Sequence, residues 1–127
     1  MPSVLIPGQA VILVVEDDAG LRELYRTALR VAGYAVVAVE DGLDALRFVE
    51  QAAPAAVVLD LGLPRLGGRD VGRELAAHDD TRHIPIIVAT AESGTLDEHE
   101  YACVIRKPFH PAELVAAVRR CLGRFGR

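Results

Sequence analysis

The sequence predicts an α/β fold, in which helices cover both faces of a five-stranded parallel sheet. Five short apolar runs, rich in β-branched residues, are typical of strands that are buried on both faces of such a sheet. Segments with apolar residues at helical spacing alternate with these runs, and this order favours a doubly wound sheet with right-handed crossovers. A chain of 127 residues is long enough to form one domain with its own core.

The residue pattern in the first half of the chain predicts three strands and two helices. The strands are expected at about 11–15, 35–39 and 55–59, and the helices at about 19–32 and 42–52. Their spacing leaves short connections, as is usual between strands and helices of α/β proteins.

Residues at the helix ends support these boundaries. Asp18 and Asp41 are suitable N-caps for the first and second helices, and Gly33 ends the first helix. The apolar residues expected to face inward are Leu21, Leu24, Tyr25, Ala28, Leu29 and Ala32 in the first helix, and Leu43, Leu46 and Val49 in the second.

The second half of the chain continues the alternation. A loop rich in glycine and proline at residues 62–68 leads to a third helix at about 69–78, and strands follow at 84–90 and about 102–106. The last helix is expected at about 111–122, because proline is favoured at the first position of a helix.

The segment between the last two strands departs from the alternation. Residues 92–101 contain only Leu96 and Tyr101 as large apolar residues, and they leave room for about two helical turns at most. We therefore expect the fourth helix of the fold to be short or missing.

Composition and charge limit the possible partners. The chain has 14 basic and 18 acidic residues, and a net charge of −4 argues against direct binding of nucleic acid. No apolar stretch approaches the roughly 20 residues that cross a membrane, and the first residues lack the features of a signal peptide. Cys103 and Cys121 belong to no close Cys or His pair, so we expect reduced packing residues in a cytoplasmic protein.

The chain is expected to divide into three parts. An N-terminal extension is expected at residues 1–9, a single domain at residues 10–123, and a C-terminal tail at residues 124–127.

Acidic residues and one lysine follow three of the predicted strands. Glu16 and Asp17 follow the first strand, Asp60 follows the third and Lys107 follows the fifth. Because the carboxyl ends of parallel strands lie at one edge of the sheet, these residues are expected to meet in an acidic pocket. Neighbouring carboxylates suit a hard cation such as Mg²⁺. An acid at this position can also cap the first helix, a role that suits Asp18 better than its neighbours.

This set of residues predicts phosphoryl chemistry. A carboxylate such as that of Asp60 can attack phosphorus without a general base, which would give an acyl phosphate. A divalent cation and Lys107 would stabilise the negative charge of the transition state. Thr90 ends the fourth strand, where its hydroxyl could donate to a phosphoryl oxygen. Taken singly, Asp60 and Thr90 could each be ordinary residues at a strand end.

Four segments, in this order, resemble the response regulator receiver domain of two-component signalling. They are ILVVEDD at 12–18, VVLDLGLP at 57–64, VATA at 88–91 and KPF at 107–109, and the resemblance extends over about residues 10–123. It implies a flavodoxin-like fold with strand order 2-1-3-4-5.

The resemblance also implies a role for each site residue. Asp60 would accept a phosphoryl group from a phosphohistidine on a sensor histidine kinase or a histidine phosphotransfer protein, while Thr90 and Lys107 would bind phosphoryl oxygens. The implied ligands of Mg²⁺ are Glu16, Asp17, Asp60 and the backbone carbonyl of Gly62. Such a domain is not a turnover enzyme; it changes its contacts with a downstream protein, here unknown, and is expected to be a monomer or a weak dimer.

Three features of the chain differ from the usual pattern of this family. Thr90 and Lys107 are only 17 positions apart, several fewer than is usual. Val104 occupies the position, three residues before the lysine, that often holds the aromatic residue of the switch. Both differences concern the face that reports phosphorylation. Gly62, two residues after Asp60, offers no side chain to shield a phosphoryl group, which predicts rapid hydrolysis.

Two other functions remain open from the sequence. A short segment between the last two strands is compatible with a constitutive docking module that no longer switches. A Mg²⁺-dependent phosphatase of the haloacid dehalogenase type would also use an aspartyl nucleophile. Such enzymes usually carry a second aspartate two residues after the first, and this chain has Gly62 there.

Overall fold

Five parallel strands form one sheet in the computed structural model, which describes residues 10–92 and 101–125, with side chains up to residue 123. The strand order is β2-β1-β3-β4-β5, and the predicted topology is thereby confirmed. The strands are β1 (Val11–Val15), β2 (Ala35–Val39), β3 (Ala56–Leu59), β4 (Ile86–Thr90) and β5 (Cys103–Arg106).

Four helices are described, and they cover the two faces of the sheet. They are α1 (Ala19–Val31), α2 (Gly42–Gln51), α3 (Gly68–Ala77) and α4 (Pro111–Phe125). Buried side chains of α1 and α4 pack on one face and those of α2 and α3 on the other, as a doubly wound sheet requires. The α4 helix corresponds to the predicted last helix and extends three residues past the expected end. The predicted short fourth helix falls on residues 93–100, outside the described residues.

The burial of the strands depends on their place in the sheet. The strands β3 and β4 are wholly buried, and β1 is buried from Ile12 onward. The edge strands β2 and β5 are mostly half-buried, so the expectation that every run is buried on both faces was wrong for these two. An edge strand has a neighbour on one side only, which leaves part of its surface open to water.

The predicted helix boundaries are supported by caps. Asp18 Oδ1 accepts a hydrogen bond from the Leu21 amide at 2.9 Å, and Asp41 Oδ1 accepts one from the Asp44 amide at 2.9 Å. Both aspartates are thus N-caps, as expected. Gly33 follows α1 with a φ of 105°, a left-handed conformation that favours glycine.

Two apolar residues that were expected to face inward do not. Leu24 is 44% exposed and Leu43 is 37% exposed. Leu24 lies on the same side of α1 as Val31, which is 84% exposed, because residues seven apart share a helix face. Leu43 is two positions from the buried Ala45, and residues two apart lie on nearly opposite sides of a helix. Within the described residues, no helix is both long and apolar enough to cross a membrane.

The start of α3 packs directly on the backbone at the end of β3. A Cβ on Gly68 would overlap the carbonyl oxygen of Asp60 and would lie 2.6 Å from Cα of Leu61. The Gly68 amide also donates to the carbonyl of Leu61 at 3.2 Å. Because only glycine fits at this contact, the first turn of α3 determines where the residues that follow β3 can lie.

We expect Gly68→Ala to destabilise the fold by about 1–3 kcal/mol, the usual cost of overpacking a close contact. The matched control is Gly123→Ala in α4, where nothing lies within 4 Å of the added Cβ. That change should stabilise the helix by up to about 1 kcal/mol. Urea unfolding followed by far-ultraviolet circular dichroism measures both free energies of unfolding. Equal changes in the two variants would contradict the steric explanation.

Candidate functional site

Three carboxylates meet at the carboxyl ends of the adjacent strands β1 and β3. One carboxylate oxygen of each of Glu16, Asp17 and Asp60 lies within 4.8 Å of the other two. The Asp60 amide donates to the carbonyl of Val15 at 3.1 Å, so the ladder between the strands continues one residue further and holds the acids side by side. Glu16 and Asp60 are buried and Asp17 is exposed. Three carboxylates at this spacing, one of them open to solvent, can share one hard cation.

Lys107 reaches this group from β5, two strands away from β3. Its Nζ lies 2.6 Å from Oε1 of Glu16 and 3.5 Å from Oδ2 of Asp60. The Lys107 amide donates to the carbonyl of Thr90 at 2.9 Å, which continues the β4–β5 ladder and aims the side chain across the sheet edge. The peptide bond to Pro108 is cis.

Burial and charge determine the electrostatics of this pair. Burial raises the pKa of Glu16, although the hydrogen bonds from Lys107 and from the Asp18 amide oppose the rise. Burial lowers the pKa of Lys107, but the hydrogen bond to Glu16 and the charges of Glu16 and Asp60 outweigh it and raise the pKa overall. Lys107 is therefore a cation at neutral pH, held between two carboxylates.

The two oxygens of Asp60 have different surroundings. Oδ1 accepts a hydrogen bond from the Gly62 amide at 3.2 Å, and Oδ2 faces Lys107. A Cβ on Gly62 would lie 4.0 Å from Oδ1, which is ordinary contact distance, so there is space beside the carboxylate. Gly62 itself is exposed on the loop after β3. The carboxylate is thus held by the protein and still has an open approach.

Thr90 is fully buried at the end of β4. Its Oγ1 accepts a hydrogen bond from the Glu92 amide at 3.2 Å. The carboxylates and the lysine are brought into direct contact, whereas the Thr90 hydroxyl is joined to the backbone that leaves β4. Glu92 in turn forms an ion pair with Arg69 of α3, at 2.9 Å.

The sequence did not predict two contacts beside the site, one made by Arg22 of α1 and one between Tyr25 of α1 and Phe109. Arg22 Nη1 donates to the carbonyl oxygens of Glu16 at 2.9 Å and Asp17 at 3.3 Å, and so holds the turn that carries the acids. Tyr25 stacks on Phe109, with ring centroids 5.4 Å apart. The sequence signals for the ring contact are the inward position of Tyr25 on the first helix and that of Phe109 two residues after the lysine; Arg22 had none.

A second missed signal lies in the use of basic residues. The chain contains thirteen arginines and a single lysine, Lys107. An ammonium is a compact point charge with three donors, while a guanidinium is a planar fork that suits paired contacts. Lysine occurs at the position where the side-chain cation contacts two carboxylates, those of Glu16 and Asp60.

Val104, at the position of the usual switch aromatic, lies on the face of the sheet that α2 and α3 cover. It is half-buried and packs against the cluster of buried residues on this face, which includes Val88 and Leu75. A Cβ on Gly72 of α3 would lie 3.5 Å from the Tyr101 ring, so this tyrosine lies against α3.

Comparison with known proteins identifies relatives over most of the chain. The family model described as "Response regulator receiver domain" matches residues 12–119. The DNA-binding response regulator MtrA of Mycobacterium tuberculosis is 42% identical over an alignment of 118 residues, and the match covers 89% of this chain and 50% of that protein. A probable transcriptional regulator, ycf27 of Porphyridium aerugineum, is 40% identical over 89% of this chain and 48% of its own length. The chain spans about half the length of the curated relatives it matches.

Solved structures share the fold. The signal receiver domain of a signal transduction histidine kinase from Syntrophus aciditrophicus superposes with a TM-score of 0.85 at 29% identity, over 93% of both chains. The receiver domain of the sensor histidine kinase PA1611 from Pseudomonas aeruginosa has a TM-score of 0.82 at 33% identity, over 91% of this chain and 99% of that chain. That structure holds a magnesium ion coordinated in its active site cleft. Because the family match covers most of this chain, the protein belongs to the response regulator receiver domain family of two-component signalling.

Proposed function

We propose that Asp60 of this receiver domain accepts a phosphoryl group from a phosphohistidine, on a sensor histidine kinase or a histidine phosphotransfer protein. The proposal rests on the groups that surround the Asp60 carboxylate. Its buried carboxylate follows β3, lies within reach of two further carboxylates and faces the Lys107 ammonium at 3.5 Å. Carboxylates that can hold a metal ion, together with the half-buried ammonium of Lys107, suit the transfer of a charged phosphoryl group from an imidazole to a carboxylate.

The transfer needs no proton from Asp60. A carboxylate oxygen attacks phosphorus, the P–N bond to the imidazole breaks, and its electron pair stays on the imidazole nitrogen. The product is an acyl phosphate on Asp60. Lys107, which is protonated at neutral pH, can balance the charge that gathers on the phosphoryl oxygens. The Gly62 amide holds Oδ1 of Asp60 and so orients the carboxylate.

We propose Mg²⁺ as the cofactor. The carboxylates of Glu16, Asp17 and Asp60 would hold it, with the carbonyl of Gly62 as a further oxygen ligand. The donor set supports this choice, because all of these ligands are hard oxygens, and so does the magnesium found in the cleft of the PA1611 receiver domain. When bound, the ion supplies positive charge to the phosphoryl oxygens.

Thr90 is proposed to bind the phosphoryl group after transfer. Its Oγ1 accepts a hydrogen bond from the Glu92 amide, and a hydroxyl that accepts still has its own proton to donate. Donation to a phosphoryl oxygen would draw Thr90 toward Asp60 and shift the backbone after β4. A local change of charge at Asp60 would in this way alter a surface some distance away.

The proposed role is that of a signalling domain in the cytoplasm, not a turnover enzyme. Cys103 and Cys121 do not form a disulfide, which suits a reducing compartment. We propose a downstream protein as the partner of the phosphorylated form, with the domain a monomer or a weak dimer. MtrA is named as DNA-binding, but this chain spans half of it, and we propose that the acidic receiver part does not itself contact nucleic acid.

Intact-protein mass spectrometry tests the proposal. The protein is incubated with Mg²⁺ and acetyl phosphate, a small phosphodonor, and then with a phosphorylated histidine phosphotransfer protein. One phosphoryl adduct per chain is the expected result. A chain that stays unmodified by both donors would point to a constitutive docking module. Many turnovers on phosphomonoesters would point to a phosphatase.

We expect Gly62→Arg to prolong the life of the phosphorylated form by about threefold or more, because a long side chain beside Asp60 excludes water from the phosphoryl group. The space next to Oδ1 of Asp60 can take such a side chain. The matched control is Gly123→Arg, which adds the same side chain to α4, far along the chain from the site. Loss of the adduct mass after removal of the donor gives both lifetimes. Equal lifetimes for Gly62→Arg and the wild type would refute the role of Gly62 in water access.

A further inference from the structure

Arg65 has a backbone conformation that is unusual for its residue type. It lies in the loop between β3 and α3 with a φ of 62°, in the left-handed region where glycine is the usual residue. A side chain with a Cβ is disfavoured there. The rest of the loop must therefore hold this conformation, or the arginine side chain must contribute something that glycine lacks.

The arginine side chain forms an ion pair with a buried aspartate. The Arg65 guanidinium pairs with Oδ2 of Asp41, which is 3% exposed, and lies 3.8 Å from a carboxylate oxygen of Asp44. Oδ1 of Asp41 caps α2 through the Asp44 amide. The amide of Asp44 and the guanidinium of Arg65 lower the pKa of Asp41, so this anchor is charged at neutral pH.

The start of α2 also packs against the same loop. A Cβ on Gly42 would overlap the carbonyl oxygen of Leu66 and would lie 2.8 Å from Cγ2 of Val71. The backbone of Leu66 thus lies directly on the first turn of α2. Arg65, the preceding residue, joins the loop to the N-cap of that helix.

The two ends of this loop are parts of the proposed site. At one end the Gly62 amide holds Asp60, and at the other Gly68 lies against the Asp60 backbone. Arg65 lies between these two points. Asp17 lines the same open cleft as Arg65 and Asp41, so the ion pair borders the acidic group.

We propose that Arg65 is a positioning residue for the metal and phosphoacceptor site. Its ion pair with Asp41 holds the β3–α3 loop in the shape that presents the Gly62 carbonyl and the Asp60 carboxylate to Mg²⁺. Arg65 acts through the loop, since its guanidinium contacts Asp41 and Asp44. The inference rests on the proposed function, because it assigns Arg65 to the same site.

The loss of a positive charge and the loss of loop positioning are expected to change the Mg²⁺ affinity of Arg65→Gly in opposite directions. Removing a positive charge near an acidic group strengthens the binding of a cation. Releasing the loop weakens it, because groups that orient metal ligands affect metal affinity. Glycine adopts the left-handed backbone without strain, so the loop can still form and the variant is expected to fold.

Calorimetric titration of the full chain with MgCl₂ alone tests the proposal without any phosphodonor. We expect Arg65→Gly to bind Mg²⁺ about 3- to 10-fold more weakly than the wild type, in keeping with other residues that orient metal ligands. The matched control is Arg47→Ala. Arg47 also pairs with Asp44, at 3.5 Å, but is 72% exposed on α2 and lies outside the loop. Its removal should leave the affinity unchanged or slightly higher.

Asp41→Asn gives an independent measurement from the other partner. Asparagine retains an oxygen to cap α2 but loses the charge that pairs with Arg65. If the pair acts as a unit, Asp41→Asn also weakens Mg²⁺ binding. The variant with both substitutions should then bind Mg²⁺ as tightly as the single variant that has the lower affinity. Circular dichroism spectra of all variants establish that they are folded.

The possible outcomes separate the two proposals. Wild-type binding of Mg²⁺ with unchanged or tighter binding by Arg65→Gly overturns the positioning role and leaves the proposed function in place. Wild-type protein that binds no Mg²⁺ overturns both. Weaker binding by both single variants, with the Arg47→Ala affinity unchanged, supports the positioning role.

Discussion

Asp60→Asn is expected to lower the rate of phosphoryl transfer by at least about 10³-fold, so that no adduct is detected, because loss of a catalytic nucleophile costs this much or more. The asparagine amide has no ionised oxygen to attack phosphorus. It has nearly the same shape, and its side-chain oxygen can still accept the hydrogen bond that Gly62 donates to Oδ1. Intact mass after incubation with Mg²⁺ and acetyl phosphate measures the effect.

The matched control for this variant is Asp70→Asn. Asp70 is a surface residue of α3, 54% exposed, that pairs with Arg73 at 2.8 Å. Its replacement makes the same chemical change away from the carboxylate group and should leave the adduct intact. An adduct of wild-type amount in Asp60→Asn would show that another residue is the phosphoacceptor, and peptide mapping would then locate it.

Lys107→Met is expected to lower the rate of adduct formation at saturating Mg²⁺ by about 10²-fold, the usual effect of removing one donor that stabilises transition-state charge. The affinity for Mg²⁺ should move the other way and increase. Lys107 lies 2.6 Å from Glu16 and 3.5 Å from Asp60, so its positive charge opposes a cation held by these carboxylates. Rates from intact mass and affinities from calorimetry measure the two effects separately.

Arg106→Met is the control for the loss of one positive charge. Arg106 is the preceding residue on β5, is exposed, and donates to the carbonyl oxygen of Glu92. Its replacement should leave both the rate and the Mg²⁺ affinity close to those of the wild type. A Lys107→Met variant with the wild-type rate would mean that Lys107 serves only as the partner of buried Glu16.

Much of the fold was predictable because local sequence and long-range burial agree in the centre of the sheet. Strands β1 and β3 are apolar throughout and β4 is apolar up to Thr90, and the structure buries all three on both faces apart from Val11 at the start of β1. Their bounds match the predicted ones to within two residues. The predictions were less good where burial depends on the neighbours, as for Leu24, Leu43 and the edge strands.

The candidate site was predictable to the level of which residues meet. Parallel strands end at one edge, so residues that follow β1, β3 and β5 converge whatever their distance in sequence. The detailed contacts were not predictable. Lys107 is closer to Glu16 than to Asp60, and Thr90 is joined to the Glu92 amide, because side-chain packing and local hydrogen bonds decide such choices.

The sequence by itself determined the order of strands and helices, because the length of each apolar run and the spacing of its apolar residues specify which segments are buried. The convergence of Glu16, Asp60 and Lys107 follows from that order, since parallel strands end at one edge of the sheet. The tertiary structure alone decided that Arg65, in a left-handed conformation, pairs with the cap of α2. Asp41 and Arg65 are 24 positions apart on different elements, and no local pattern encodes such a pair. The contact exists because the first turn of α2 packs against the loop between β3 and α3, which follows from the packing of α2 and α3 on the same face of the sheet.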